Sequence, residues 1–445
     1  MSENQILIQA ATLPDGTTAD IHIVGSVIAE VGTNLSAAGA QVVDAQGLIA
    51  LPGFVDLHTH LREPGFEQSE TVLTGTQAAA RGGFTSVFAM ANTQPVADTA
   101  GVVEQVLRLG DEAGYATVRP IGAVTKGLEG TQLAELGAMA NSRAQVRVFS
   151  DDGKCVFDPL IMRRALEYVK TFGGVIAQHA QEPRLTIDAQ MNEGDVSARL
   201  GLAGWPAVAE ESIIARDVLL AEHVGSRLHI CHLSTAGSVD VIRWAKKRGI
   251  NVTAEVTPHH LLLTDAMAEN YDARFKVNPP LRTSEDVLAL REALADGTID
   301  IVATDHAPHP VETKECEWGA AAFGMVGLES ALAVVQTTMV ETGLIGWVDV
   351  ARVLSEKPAR IGGLETHGRG IVAGVQAEIA LIDPSTKRTF GVQDLSGLSQ
   401  NSPYLGVELS GDVVATIHQG YFTASDRSVV DADVVASAAE AVRRG

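Results

Sequence analysis

Residues 54–303 repeat one pattern eight times, a short β-rich run followed by an Ala- and Leu-rich stretch of helical character. The β-rich runs cover residues 54–58, 86–90, 117–121, 146–150, 175–178, 228–231, 251–256 and 300–303. Strands that alternate with helices predict a parallel sheet. Eight repeats without a well-placed Gly-rich phosphate-binding turn favour a closed (β/α)8 TIM barrel, an α/β fold, over an open doubly wound sheet.

The two ends of the chain have a different pattern. The first fifty residues alternate apolar and polar positions, and short β runs with glycine turns return after Gly363, as in 370–374 and 377–382. The simplest arrangement is a small β-sandwich built from both chain ends and flanking the barrel. The predicted domains are a composite β-sandwich of residues 1–52 plus 364–445 and a barrel of residues 53–363.

Composition excludes several classes of protein. A formal net charge of -22 disfavours binding to nucleic acid or to anionic lipid, because both need a cationic protein surface. The three cysteines, Cys155, Cys231 and Cys316, are too few for a disulfide framework and fit a reducing compartment. The start of the sequence lacks the features of a signal peptide, and we therefore expect a soluble cytoplasmic protein.

Polar side chains stand where the predicted barrel strands end. They are His58 and His60, then Asp151 and Asp152, His179, His232 and Asp305. His58 and His60 are two residues apart on an extended chain, so both point the same way and can reach one ion. Imidazole and carboxylate ligands without thiolate suit catalytic zinc, and this set suffices for two ions if one carboxylate bridges them.

At three places in the sequence the roles of acidic residues or histidines remain open. Asp151 and Asp152 are adjacent, so they face opposite ways on extended backbone and only one can bridge. His229 lies inside its strand and is expected to be a packed residue behind the ligands. His259 and His260 exceed the number of ligands needed, and we expect them to order their loop.

Six segments give the chain a family resemblance: PGFVDLHTHLREPG at 52–65, MANT at 90–93, DDG at 151–153, TPHHL at 257–261, KVNPPLR at 276–282 and TDHAPH at 304–309. Over essentially its whole length the chain resembles the class I dihydroorotases of the amidohydrolase superfamily. The resemblance implies the reversible zinc-dependent cyclisation of N-carbamoyl-L-aspartate to (S)-dihydroorotate and water. This reaction is the third step of de novo pyrimidine (UMP) biosynthesis.

The resemblance also implies roles for individual residues. The implied ligands of a binuclear zinc centre are His58, His60 and Asp305 on one ion, His179 and His232 on the other, and Asp152 as the bridge. Asp305 is also the implied catalytic base and acid. The implied substrate contacts are His60, Arg62, Asn92 and His309, with Asn278 and the backbone of Phe323 and Gly324 at the ring. Arg62 offers the cationic fork that a carboxylate needs.

Two alternatives have distinct signatures. A hydantoinase or allantoinase uses a carboxylated lysine as the metal bridge, and Lys154 raises that question, although it lies beyond the strand end. A non-catalytic scaffold for aspartate transcarbamoylase need not keep its ligands. The resemblance leaves open a homodimer and an association with that transcarbamoylase. The polar, proline-marked segment 308–318 is expected to form a loop that closes over the barrel mouth.

Overall fold

The structure, a computed structural model, describes residues 4–444. Its strands are β1 Gln5–Thr12, β2 Thr18–Val24, β3 Val27–Gly32, β4 Gln41–Asp44, β5 Ile49–Pro52, β6 Phe54–Thr59, β7 Phe84–Ala89, β8 Thr117–Pro120, β9 Val148–Phe149, β10 Val175–Gln178, β11 Met191–Asn192, β12 Gly204–Trp205, β13 Leu228–Ile230, β14 Val252–Val256, β15 Ile301–Val302, β16 Ile379–Thr389, β17 Glu408–His418, β18 Tyr421–Ser425 and β19 Ser428–Val429. Its helices are α1 Val72–Arg81, α2 Ala100–Ala113, α3 Leu136–Asn141, α4 Pro159–Val169, α5 Asp195–Leu200, α6 Val208–Val224, α7 Ala236–Lys247, α8 Pro258–Leu262, α9 Ser284–Asp296, α10 Val311–Lys314, α11 Ala331–Val335, α12 Trp347–Ala351, α13 Lys357–Gly362 and α14 Ala432–Arg444. Each of these helices is too short or too polar to cross a lipid bilayer.

The barrel closes from two parallel sheets. One contains β6, β7 and β8, and the other contains β9, β10, β13, β14 and β15. Single parallel bridges between Gly122 and Phe149 and between Thr59 and His306 join the sheets at both edges. Every barrel strand lies within two residues of its predicted position, so the predicted (β/α)8 barrel is confirmed.

Local sequence explains where the barrel helices begin. Thr71 caps α1, Asp158 caps α4 ahead of a proline, and Thr283 caps α9 in a reciprocal arrangement with Asp286. Such side chains accept hydrogen bonds from the first N–H groups of a helix, which have no partner within it. Each cap fixes the point at which the chain leaves the barrel mouth for the outer helical layer.

The hydrophobic core holds the barrel strands in place. One cluster joins Val55, Leu57 and Val148 to Ile361 of α13, while the largest cluster packs the strands against the helices. At the strand ends Asp56 accepts hydrogen bonds from the backbone of His58 and Thr304, at 3.0 and 3.1 Å. This buried carboxylate therefore fixes β6 beside β15, where polar side chains gather.

Both chain ends contribute to one nine-stranded sheet in the order β19-β18-β17-β16-β5-β1-β2-β3, with β4 on β1. The two ends meet where β16 pairs with β5, with Ile379 opposite Pro52. The prediction that both chain ends build one β structure beside the barrel is thus confirmed, and the predicted β-sandwich takes the form of one continuous hydrogen-bonded sheet in the described residues. The predicted run at 370–374 is wrong, because it contains a turn at Gly374, whose φ is 89°. The domain boundaries at residues 52 and 363 remain our proposal.

Candidate metal centre and substrate pocket

The carboxyl ends of five barrel strands bring six buried side chains together. One group of possible ligands contains His58, His60, Asp152 and Asp305, and a second contains Asp152, His179 and His232. His58 lies near the end of β6, and the others lie within three residues after the ends of β6, β9, β10, β13 and β15. Parallel barrel strands deliver their terminal side chains to one mouth, which explains the convergence. Asp152 belongs to both groups.

Asp152 lies at the centre of the cluster. Its Oδ1 is 3.4 Å from Nε2 of His58, 3.1 Å from Nδ1 of His179 and 3.2 Å from Nε2 of His232. Its Oδ2 is 3.3 Å from Nε2 of His60. Asp305 faces the first two histidines, with Oδ1 at 3.3 Å from His58 and 3.1 Å from His60. A carboxylate placed between two sets of imidazoles has the position of a bridging ligand.

Asp305 favours its ionised form and His58 its protonated form, although both side chains are buried. Burial opposes ionisation of Asp305, but His58 and His60 hold its pKa at about 2. Burial likewise disfavours the imidazolium of His58, but Asp152, Asp305 and Glu255 raise its pKa well above the ordinary value. Such an arrangement attracts a cation strongly.

The donor set fits a divalent metal. Nε2 of His58 is buried and has no hydrogen-bond partner in the described residues, although it points at two carboxylates. Four imidazoles and two carboxylates, without thiolate, are ligands of the kind that catalytic zinc takes. The residues present therefore suit one ion or a pair.

Asp151 faces away from the cluster. Its Oδ1 accepts hydrogen bonds from the backbone N–H groups of Val124 and Thr125, at 2.8 and 2.9 Å, and the Thr125 hydroxyl donates to Oδ2. Asp151 therefore orders the loop that follows β8, and burial raises its pKa to about 6. Of the two adjacent carboxylates, the structure brings Asp152 to the histidines.

Glu255 on β14 is a member of the site that the sequence analysis missed. Its Oε1 is 2.6 Å from Nδ1 of His58, and its Oε2 is 2.9 Å from Nε2 of His229. His229 is thus a packed residue behind the ligands, as predicted. Glu255 fixes the ring of His58 with Nε2 towards Asp152, which is how carboxylates commonly orient metal-binding histidines. The sequence feature that could have identified Glu255 is a charged residue within a predicted buried strand.

Gln181 is a second residue that the sequence analysis missed. Its Oε1 is 2.8 Å from Nε2 of His179, so it orients this ring towards Asp152. The same oxygen accepts a hydrogen bond from Nδ2 of Asn278 at 3.2 Å, while Oδ1 of Asn278 is buried without a partner. The predicted substrate residue Asn278 is therefore connected to the metal ligands through Gln181.

His260 orders the loop after β14, as predicted for this histidine pair. Its Nδ1 is 2.8 Å from the Thr257 hydroxyl and its Nε2 is 3.2 Å from the Pro280 carbonyl. His259 stacks beside it at 4.6 Å between ring centroids. Burial lowers the pKa of His259 to about 4, so this ring is neutral.

The predicted carboxylate-binding residues lie beside the cluster. Arg62 has a left-handed φ of 61°, and its Nε donates to the Pro308 carbonyl at 3.1 Å. Its Nη2 is 3.4 Å from Nε2 of His309. Asn92 Oδ1 is 2.9 Å from Nδ1 of His60, which leaves the amide nitrogen of Asn92 as a donor. Burial lowers the pKa of Arg62 to about 10, and it stays cationic.

The backbone at Phe323 and Gly324 is held by a buried lysine that the sequence analysis missed. Nζ of Lys314 donates to the carbonyls of Ala322, Gly324 and Lys276, at 2.8, 2.8 and 3.2 Å. Gly324 has a φ of 133°, and a Cβ there would lie 2.8 Å from His309, so glycine is required. Its N–H is already engaged, donating to the Lys276 carbonyl at 2.9 Å.

Comparison with known proteins decides the family. A model described as "Dihydro-orotase-like" matches residues 47–238. The chain is 73% identical to a dihydroorotase of Leifsonia xyli, covering 97% of this chain and 98% of that one. It is 54% identical to a dihydroorotase of Mycobacterium tuberculosis, covering 93% and 97%.

The chain belongs to the dihydroorotase family. Members are cyclic amide hydrolases, and this chain is therefore an enzyme. Among solved structures it is similar to the L-hydantoinase (dihydropyrimidinase) of Arthrobacter aurescens, with a TM-score of 0.85 and 25% identity over 96% of this chain and 97% of that one.

The structure also bears on the hydantoinase alternative. Lys154 is exposed, and its backbone N–H donates to the Asp151 carbonyl at 2.9 Å in the turn beyond β9. The central position between the histidines is taken by Asp152. Within the described residues, a carboxylated Lys154 has no place in the cluster.

Proposed function

We propose that this chain catalyses the reversible cyclisation of N-carbamoyl-L-aspartate to (S)-dihydroorotate and water, the third step of pyrimidine biosynthesis. The main support is the position of Asp152, shared between two groups of histidines and near enough to Arg62 to interact with its charge. A site of this kind pairs a metal centre with a binding position for a carboxylate. Dihydroorotate, the cyclic compound in the proposed reaction, has both a cyclic amide and a carboxylate.

The proposed cofactor is zinc, as one or two ions. His58, His60 and Asp305 would hold one ion, His179 and His232 the other, and Asp152 would bridge them. When bound, zinc lowers the pKa of water and polarises an amide carbonyl, and ring opening needs both.

Asp305 is the proposed acid and base. In ring opening its carboxylate accepts a proton from the attacking water and passes it to the ring nitrogen as the C–N bond breaks. In ring closure the same carboxylate takes the proton from the carbamoyl nitrogen as the C–N bond forms, and passes it to the departing hydroxide, which leaves as water. Its position 3.1 Å from His60 places it within the cluster.

The substrate carboxylate is proposed to bind Arg62, with Asn92 and His309 beside it. Arg62 supplies the charge, and its side chain is already oriented by the Pro308 carbonyl. Asn92 directs its amide oxygen to His60 and so presents its nitrogen as a donor. The free Oδ1 of Asn278 can accept a hydrogen bond from a ring N–H.

The test is an assay of ring opening and ring closure across pH, before and after removal of metal by a chelator. Ring closure consumes a carboxylate and a proton, so low pH favours dihydroorotate. We expect activity in both directions, its loss with chelator and its recovery with zinc. Absence of chelator-sensitive activity in both directions would refute the proposal, and turnover of hydantoin or allantoin in preference would support the alternative.

Location and assembly are further parts of the proposal. Cys155 and Cys231 are buried thiols and Cys316 is exposed and unpaired, which suits a reducing cytoplasm. A homodimer and a complex with aspartate transcarbamoylase are the proposed assemblies. Size-exclusion chromatography of the chain, alone and mixed with that transcarbamoylase, tests both.

A further inference from the structure

A second cluster of metal-type ligands lies at the opposite end of the barrel. His367 follows α13, Glu378 precedes β16 and His418 ends β17. All three side chains are buried, at 3%, 5% and 3% exposure. The backbone of Glu378 accepts a hydrogen bond from Gly53, just before the amino end of β6. The cluster thus lies between the terminal sheet and the barrel, away from the mouth.

The possible ligand atoms of this cluster lie close together. One ligand atom from each of His367, Glu378 and His418 lies within 4.8 Å of the other two. Oε2 of Glu378 is 2.9 Å from Nδ1 of His418, and its Oε1 is 3.7 Å from Nε2 of His367. The two carboxylate oxygens are therefore each directed at a different imidazole.

Hydrogen bonding accounts for part of this arrangement. The contact of Glu378 with His418 is a normal hydrogen bond, whereas 3.7 Å to His367 is too long for one. Nε2 of His367 is buried and has no hydrogen-bond partner within residues 4–444. A buried polar atom without a partner costs free energy and calls for an explanation.

A metal ion explains the separation of the atoms. Zinc binds imidazole nitrogen and carboxylate oxygen at about 2.0–2.1 Å, so two ligand atoms in tetrahedral geometry are about 3.3 Å apart. The separations of 2.9 and 3.7 Å lie on either side of that distance. The corresponding separations in the cluster at the barrel mouth run from 3.1 to 3.4 Å.

The protonation of His367 is compatible with binding a metal. Burial lowers its pKa, and His418 and Arg119 act in the same direction, against the opposing effects of Glu378 and of the Thr85 backbone. The ring is therefore neutral and can present a lone pair. A cation would also compensate the buried charge of Glu378.

We propose that His367, Glu378 and His418 bind a divalent transition-metal ion, for which Zn²⁺ is the best match. Two imidazoles and one carboxylate are borderline ligands that suit zinc better than calcium or magnesium. The three residues come from separate segments, so a bound ion would connect the terminal sheet to the amino end of the barrel. This inference does not depend on the proposed function.

The decisive test is anomalous X-ray diffraction at the zinc edge, on crystals of the full chain grown with Zn²⁺. We expect an anomalous peak among His367, Glu378 and His418, separate from any peak at the barrel mouth. Crystals that show zinc at the mouth but no peak among these three residues would overturn the proposal.

Metal analysis of a variant gives a second test. His367→Gln should lower the zinc content of the dialysed protein by about one equivalent and leave ring-opening activity unchanged. The matched control is His223→Gln, which replaces an exposed histidine on α6 and should keep the wild-type zinc content. Equal zinc content in His367→Gln and wild type would contradict the proposal. If His367→Gln does not fold, the diffraction experiment decides alone.

Discussion

Replacing Glu255 by glutamine should weaken zinc binding although Glu255 is not itself a proposed ligand. Its carboxylate contacts His58 at 2.6 Å and His229 at 2.9 Å, and both contacts are buried. The amide oxygen of glutamine can still accept a hydrogen bond from His58. Its amide nitrogen can then face Nε2 of His229, because His229 can change its tautomer and donate from Nδ1 to the Thr253 hydroxyl. The variant thus keeps the hydrogen bond to His58, but the accepting group no longer carries a negative charge.

The magnitude follows from that difference. A hydrogen bond to a charged group contributes about 1.5–3 kcal/mol and a neutral one about 0.5–1.5 kcal/mol. The loss of roughly 1.4 kcal/mol corresponds to about a tenfold weaker affinity. This lies at the lower end of the about 10- to 100-fold effects found when groups that orient metal-binding histidines are changed.

The assay is competition for Zn²⁺ between the protein and a chromogenic chelator. The matched control is Glu329→Gln, which removes another buried carboxylate. Glu329 accepts hydrogen bonds from the backbone of Ser396 and Gly397 and, within residues 4–444, forms no hydrogen bond with a histidine. We expect Glu329→Gln to bind zinc as wild type does. If Glu255→Gln also binds zinc with wild-type affinity, our account of how His58 is oriented is wrong.

Five further substitutions, at four residues, test the site. Asp152→Asn should lose metal and lower ring-opening activity by about 100-fold or more, whereas Asp151→Asn should keep its metal content, measured by atomic emission, because Asp151 faces the loop after β8. Lys154→Met should keep metal and activity, because Lys154 is exposed; a loss of metal would favour a carboxylated lysine. Lys314→Met should raise KM about tenfold with unchanged zinc content, because three carbonyls lose their donor. Lys314→Arg should restore part of that loss, and an unchanged KM in Lys314→Met would exclude a role in shaping the pocket.

The barrel could be predicted from sequence because its strands are short, buried runs separated by helices. In such a fold the length and spacing of the runs determine the topology almost alone. The terminal sheet was harder to predict from sequence, because strand pairing there joins residues more than 300 positions apart, such as Pro52 and Ile379. The error at 370–374 has a local cause, because apolar residues there precede a turn at Gly374.

The proposed ligands could be found from sequence because each one lies at the end of a barrel strand or within three residues after it. The residues that orient them could not be found in this way. Glu255 contacts His58 across 197 positions of chain. Gln181 is only two residues from His179, but its contact with Asn278 spans 97 positions. Lys314 stands in a polar segment typical of an exposed loop, yet its side-chain nitrogen is enclosed by carbonyls. Such roles depend largely on how distant segments of the chain meet.

The end of β6 explains how one short segment contains both proposed metal ligands and a proposed substrate residue. Had the strand continued, His58, His60 and Arg62 would have pointed in the same direction, and the guanidinium would have competed with the metal for the same space. The strand ends at Thr59, and the left-handed backbone of Arg62 turns its side chain to Pro308 and His309 instead. Asn92, a proposed substrate residue, contacts the proposed metal ligand His60. The separation of positive charge from the metal ligands is therefore a property of the backbone at Arg62.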